Sequence, residues 1–590
     1  RASSVIPLHP FSEAAAAAAS YPQLFPMYVV PVRAFLGMTE VLPHQVLRRQ
    51  GAAVDVATLP ENDVVFVSHQ WCGRAHPDSN FRQLSVLQAT FVRSMAGSIR
   101  VQVDLLSAVS YKMKAAVTAA DLRGVATWAM WYDYFSVPQP LAADAASCQD
   151  ADLEQDLGKA IASLPAYVQA CKFFVVLAPT VVHEEGHLID YASWKRRCWC
   201  RLERIARVLS PGETHVLLVR LPDVAFAVGP DEYLFEPVGW GRLSDERDRE
   251  SLGPLVESLV TRKLLQLRSD GCHEDFRRLL SWCPLILRGL PADWKRACPN
   301  AHAYSAFECM DAVEAFAHLV DPDGSAKLPA SDVMLLASAV GEVAVVRSMI
   351  ERRAKVNCVE RRTVLRYQRR AGQQPLHVAA ASGHVAMLTL LLRHRADIEA
   401  QDSKGTTPLN WAMASGSLAA AQLLLQAMAN IDHRNRSDAS SVDFAAYLGR
   451  LELMEFLIAS GAAMEDLGSG KSALHTAAVF GAGVDVVHSL LNHRASPDVH
   501  LRWNQTHATS IALRLMALPY RCGHRGFWCV YAYHLDGATP LQLAVSSCAW
   551  SEARLLIEAG ADIEATNHRG FTASRVAADL GLLGMAPFEF

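Results

Sequence analysis

At 590 residues the chain is long enough for about three or four domains. With 51% apolar residues, 20% charged residues and a formal net charge of −4 it reads as folded globular protein, with no electrostatic ground for nucleic acid as a general partner. Thirteen cysteines, scattered singly apart from Cys198 and Cys200 and without a C-x-x-C pair, speak against a structural zinc framework and for reduced thiols in a cytoplasmic setting. Apolar stretches such as PQLFPMYVVPVRAFLGM are broken by proline or charge well short of a membrane span, so none is expected. Residue 1 is Arg, which leaves the true start of the protein open.

Residues 1–60 hold the run AAAAAA and several prolines and are expected as a partly ordered lead-in. Order is expected to begin with DVVFVSHQW at 63–71, a β-branched and aromatic run that reads as a buried strand. FRQLSVLQATFVRSM at 81–95 has helical spacing, and a further helical stretch is expected at 97–125. WAMWYDYFSVPQ at 128–139 reads as a second strand, LGKAIASLPAYVQAC as a helix kinked near Pro165, and CKFFVVLAPTVV at 171–182 as a third strand. SWKRRCWCRLERIARVL at 193–209 follows as a helix and THVLLVRL at 214–221 as a fourth strand. Strands alternating with helices predict a parallel sheet covered on both faces, with any ligand site at the C-terminal ends of the strands. Ser68, His69 and Trp71 end the first strand, and Asp133 and Tyr134 end the second.

Two phrases carry a resemblance to the Toll/interleukin receptor (TIR) domain. The first strand of that family reads D-V-F-V/L-S, matched by Asp63 to Ser68. Its plant members carry Y-A-S-x-x-W-C-L-D-E-L, against which this chain sets Tyr191, Ala192 and Ser193, then Trp199, Cys200, Arg201, Leu202 and Glu203. The resemblance spans about 63–221 and implies a flavodoxin-like α/β domain that assembles with like domains. The chain departs from the pattern in the longer spacer Trp194 to Cys198 and in HQWCGRAHPDSNF after the first strand. WYDYFSVPQ is also similar to a phrase of the fungal heterokaryon-incompatibility domains, which are themselves TIR-like.

In catalytically active TIR domains a glutamate promotes cleavage of the nicotinamide glycosidic bond of NAD, and the matching residue is Glu203. With the pocket at the C-terminal ends of the strands, Ser68, Trp71 and Arg197 are expected to contact the dinucleotide, with Lys195, Arg196, Arg197 and Arg201 placed to receive its diphosphate. A carboxylate stabilises the oxocarbenium character that builds on the ribose, and one suffices because nicotinamide leaves neutral. On the residues alone, a glutamate among Arg201, Arg204 and Arg207 reads as an ion-paired surface group, Ser68 as a turn cap, and His69 and Trp71 as packing residues.

Residues 226–330 carry helical patterns such as ESLGPLVESLVTRKLLQL and no catalytic motif, and are expected as a helical connector. Asp321, Asp323 and Gly324 lack the spacing of a calcium loop, and no metal site is expected.

From 331 the sequence repeats itself. QQPLHVAAASGHVAMLTLLLRHRADIEA at 373–400 is echoed 33 residues later, with glycines at Gly383, Gly416 and Gly449 and closing alanines at Ala396, Ala429, Ala462 and Ala495. That period predicts a stacked solenoid, and the T-P-L-H, G-H and L-L-L phrases are similar to the ankyrin family. Five repeats are legible at 371–402, 403–434, 435–467, 468–500 and 536–566, with degenerate caps at 335–357 and 568–584. At about 500–535 the motif is lost although Ala495 and Ala561 are two periods apart, which reads as a corrupted repeat or a long insertion. Its aromatics Trp503, Tyr520, Phe527, Trp528, Tyr531 and Tyr533 either form a partner hot spot or cover a gap in the solenoid.

The expected architecture is therefore multidomain: a lead-in at 1–60, an α/β parallel-sheet TIR-like domain at 61–225, a helical connector at 226–330 and an all-α ankyrin solenoid at 331–590. The expected function is that of an intracellular scaffold, the ankyrin surface binding a protein partner and the TIR-like domain self-associating for signalling. No cofactor is required. The alternative is an NAD hydrolase or cyclase using Glu203, with NAD as substrate.

Overall fold

The computed structural model describes residues 21–59, 63–104, 107, 117–139, 150–211, 216–229, 236–298, 311–321, 328–360, 371–465, 471–502, 508–522 and 527–582. Its N-terminal half is built on an eight-stranded sheet. The strands are β1 (Tyr28–Pro31), β2 (Val54–Asp55), β3 (Val64–His69), β4 (Arg100–Val103), β5 (Ala129–Tyr132), β6 (Phe173–Leu177), β9 (Val216–Leu221) and β10 (Val224–Ala227), with β7 (Val181–Val182) and β8 (Leu188–Ile189) forming a separate hairpin. The sheet order is β2-β1-β5-β3-β6-β9-β10-β4.

The four central strands β5, β3, β6 and β9 are parallel. Every residue of β3 and of β6 is buried, as a strand covered on both faces requires. Alternate side chains feed two cores. Val64 and Phe66 join the one built with Leu202, Ile205 and Val168, and Val65 and Val67 join the one built with Leu84, Leu87 and Phe91. Phe66 stacks between Trp131 and Phe174, centroids 4.3 and 5.2 Å away, so the first core is tied across three strands.

The sheet is mixed at its edges. β9 and β10 pair antiparallel because only Pro222 and Asp223 separate them, too few for a crossover. Residues 28–55, expected as a lead-in, supply β1 and β2, and β1 pairs antiparallel with β5. The stretch 97–125, expected as helical, contains β4, paired in parallel with β10. Its Arg-Val-Gln-Val alternation suits an edge strand better than a helix face.

Helices Asp248–Ser269 and His273–Ile286 follow, and their Leu259 and Leu279 continue the first core into the repeats, where Leu336 and Leu376 join it. The solenoid consists of helix pairs such as Pro375–Ser382 with Val385–Arg393 and Pro408–Ser415 with Leu418–Gln426. Thr407 caps its helix through a reciprocal box with Asn410, Pro408 occupies the first turn, and Gly416 ends the helix at φ +61°. Consecutive repeats are joined by a buried histidine: His377 Nε2 lies 3.1 Å from the Thr406 carbonyl oxygen.

The same bond resolves the irregular segment. His475 Nε2 lies 3.2 Å from the carbonyl of Ala538, 63 residues on, so repeat 468–500 stacks directly on repeat 536–566. The residues between them are an insertion that happens to set Ala495 and Ala561 two periods apart. Among its described residues are the helices Ala508–Arg521 and Phe527–His534. Tyr520 donates to Asp579 at 2.6 Å and the Tyr533 ring lies 4.0 Å from the Arg569 guanidinium, so these two aromatics pack against the last repeat, while the buried Tyr531 lines a cavity with Tyr447 and Phe480. Trp503 and the side chains of Phe527 and Trp528 lie outside the described residues.

Candidate functional site

The central parallel strands run in the order second, first, third, fourth, a doubly wound arrangement whose switch point falls between β3 and β6. Ser68 and His69 end β3 at that point, and the chain leaving β6 returns to it after the β7–β8 hairpin. Two helices make the return: Tyr191–Lys195 and Cys198–Leu209. The first has only five residues and depends on its cap, in which Asp190 Oδ1 accepts from the Ser193 N–H at 3.0 Å and Ser193 Oγ accepts from the Asp190 N–H at 2.8 Å.

These helices deliver two side chains to Ser68. Trp194 Nε1 donates to Ser68 Oγ at 3.1 Å, and Ser68 Oγ donates to Glu203 Oε2 at 2.5 Å. Ser68 and Trp194 are buried and Glu203 is partly so. Burial pushes the Glu203 carboxyl up to about 8; the Ser68 hydrogen bond pulls the other way, and the charge of Asp133 adds to the rise. Glu203 thus holds its proton at neutral pH and loses it readily once a positive charge arrives. The ion-paired surface glutamate expected on the residues alone does not occur here. Nor does Ser68 cap the turn.

His69 and Trp71 converge on Asp133 instead. The buried His69 ring stacks on Tyr132 at 4.0 Å with Nε2 3.5 Å from Asp133 Oδ1, and Trp71 Nε1 donates to Asp133 Oδ2 at 2.8 Å. Burial lowers the His69 pKa against the opposing pull of Asp133, so the imidazole is neutral at pH 7. Cys200 Sγ completes the floor, donating to the His69 carbonyl at 3.4 Å.

Arg197 turns away from this group and donates to Ser244 Oγ at 2.7 Å. The basic residues expected near a diphosphate are mostly committed elsewhere. Arg201 is buried and donates to the carbonyls of Lys195 and Pro237; Lys195 lies 3.9 Å from the Glu236 carboxylate. Arg204 pairs with Glu236 at 2.9 Å, and Arg207 donates to the carbonyls of Cys171 and Lys172. These arginines are buried donors that satisfy loop carbonyls and the Glu236 carboxylate. Trp194, which the sequence marks only as part of an overlong spacer, is the site residue that motif matching misses.

His183, Glu185 and His187 on the β7–β8 hairpin bring three potential ligand atoms within 4.8 Å of one another. The Glu185 carboxylate is engaged by Arg74 at 2.8 Å, and the positive charge of Arg197 also acts on His183, both of which oppose a cation there.

The N-terminal half docks on the solenoid along the turns between paired helices. Trp240 lies where a Cβ on Gly416 would stand, 2.4 Å away, with the Arg450 and Arg288 guanidinium groups 4.5 and 5.3 Å from its ring. Arg288 also donates to the carbonyls of Ser382 and Ser415. Arg220 donates to the Ser547 carbonyl at 2.6 Å, and Arg242 pairs with Asp485 at 2.7 Å. The loops that project from the repeats stay open, with Lys404, Arg436, Ser437 and His568 exposed.

Residues 333–435 match the family model for ankyrin repeats in three copies, and 469–502 and 536–568 match the model for a single ankyrin repeat. Repeat 435–467, between them, has the same helix pair at Ser441–Tyr447 and Leu451–Ala459. The crystal structure of the human ASB11 ankyrin repeat domain is similar at 24% identity over 44% of this chain and 98% of that one, with a TM-score of 0.32. No curated protein is measurably similar to this chain. The chain therefore carries ankyrin repeats, an architecture built for protein–protein interaction. Among the described residues no helix is long and apolar enough to cross a membrane.

Proposed function

We propose that this protein binds a protein partner on the open loops of its solenoid and uses its TIR-like half as the responding unit, with the Glu203 site cleaving the N-glycosidic bond of NAD. The contact of Glu203 with Ser68 at the switch point carries the second part. A pyridinium ring brought beside Glu203 favours its carboxylate, and the proton leaves to solvent. The carboxylate then faces the positive charge that builds at ribose C1′ as the C1′–N bond breaks. Both bonding electrons leave with neutral nicotinamide, and water adds to C1′ and yields a proton to Glu203. ADP-ribose and nicotinamide are the products. The test is nicotinamide release by purified, clustered protein; no release, or equal release from Glu203→Gln, removes the reading.

A second reading keeps the TIR-like half as an assembly module without chemistry. It is favoured by the buried roles of Arg201, Arg204 and Arg207, which leave few cations for a diphosphate. Concentration-dependent self-association that survives Glu203→Gln, with no NAD turnover, supports it.

A further inference from the structure

The helix that carries Trp194 to Ser68 is held from outside its own domain. Its cap, Asp190, is buried, and the two carboxylate oxygens serve different masters: Oδ1 accepts from Ser193 N, while Oδ2 accepts from Ser551 Oγ at 3.2 Å. Ser551 belongs to the helix Trp550–Glu558 of the repeat at 536–566, far along the chain. Beside it, the fully buried Glu552 accepts from the Gly483 N–H at 2.9 Å, and the Arg196 guanidinium, one residue past the short helix, lies over Gly483. From the capped helix two connections reach the site. Ser193 Oγ donates to Gln70 Oε1 at 2.7 Å, two residues beyond Ser68, and Trp194 donates to Ser68 itself.

We infer that the solenoid holds the Glu203 site in its working geometry through Ser551, which anchors the Asp190 cap and thereby the Trp194–Ser68–Glu203 contacts. Five residues are too few to stay helical unaided, so this helix has two states, docked and frayed, and the seam selects between them. A partner that shifts the terminal repeats acts on the site without touching it. Ser551 is a positioning residue, and the regulatory meaning of the seam rests on the chemistry proposed for Glu203.

Hydrogen–deuterium exchange on the full chain tests the coupling independently of that chemistry. Ser551→Ala should raise exchange at 190–197 roughly tenfold, and Ser551→Thr, which keeps the hydroxyl, should restore wild-type rates. Ser417→Ala, which removes a cap elsewhere in the solenoid, should leave 190–197 unchanged and show that general loosening of the repeats is not the cause. Unchanged exchange at 190–197 in Ser551→Ala, or an equal rise in Ser551→Thr, overturns the inference whatever NAD turnover does. In the same preparations nicotinamide release should fall with Ser551→Ala in proportion to the frayed fraction. A wild-type protein that releases none removes the proposed chemistry and leaves the coupling standing.

Discussion

Glu203→Gln is the substitution whose consequence the structure defines most closely. Gln mimics the protonated acid and can still accept the Ser68 hydrogen bond. Glu203 titrates near 4.5 when unfolded and at about 8 when folded. Between those values the folded state holds a proton that the unfolded state has released, so wild-type stability falls as pH rises, by ~1.4 kcal/mol per unit. The full interval corresponds to ~5 kcal/mol, and partial solvent access to the side chain reduces the expected gap to ~2–4 kcal/mol. The two proteins should therefore be equally stable at pH 4.5, with Glu203→Gln increasingly the more stable up to pH 8 and the gap constant above it. Urea melts at pH 5, 7 and 8.5 measure this directly. A gap that does not change with pH, or a variant that loses stability as pH rises, would refute the account of the buried carboxyl.

Three further outcomes follow from the same geometry. Ser68→Ala removes the hydrogen bond that pulls the Glu203 pKa down, so the carboxyl should titrate above 8, seen as a displaced inflection in the pH dependence of urea melts. Arg207→Leu leaves the carbonyls of Cys171 and Lys172 at the start of β6 without their donor and should cost ~2–4 kcal/mol in the same measurement, as no surface arginine would. Tyr520→Phe deletes the hydrogen bond to Asp579 and should cost ~1–2 kcal/mol, appearing as faster hydrogen exchange confined to the last helix, Ala573–Leu580.

The solenoid was legible because each repeat spells out its own caps, turn glycine and packing leucines locally. The insertion is not, since Ala495 and Ala561 keep the register by coincidence of length, and contacts such as those from His475 to Ala538 and from Gly483 to Glu552 are needed to reveal which repeats touch. In the other half, β3 and β6 announced themselves as continuous apolar runs. β1 and β2 did not, being short, bordered by proline and stable only through pairing with β5. Glu203 and Ser68 were found by likeness to a motif, but the reason they matter, a shared hydrogen bond under Trp194, depends on a spacer helix that the motif lacks. The burial of the arginines of helix Cys198–Leu209 is not legible because a helical pattern counts them as polar surface, whereas the heads of Arg201 and Arg207 reach loop carbonyls and that of Arg204 the Glu236 carboxylate.

Nicotinamide release from NAD by the clustered protein, followed from pH 6 to 9 beside Glu203→Gln, tests the central claim most directly. The account predicts a kcat/KM for NAD that rises with pH to a plateau above about 8 and falls at least ~100-fold in the variant. Absence of release from the wild type, or release that Glu203→Gln leaves intact, would contradict it.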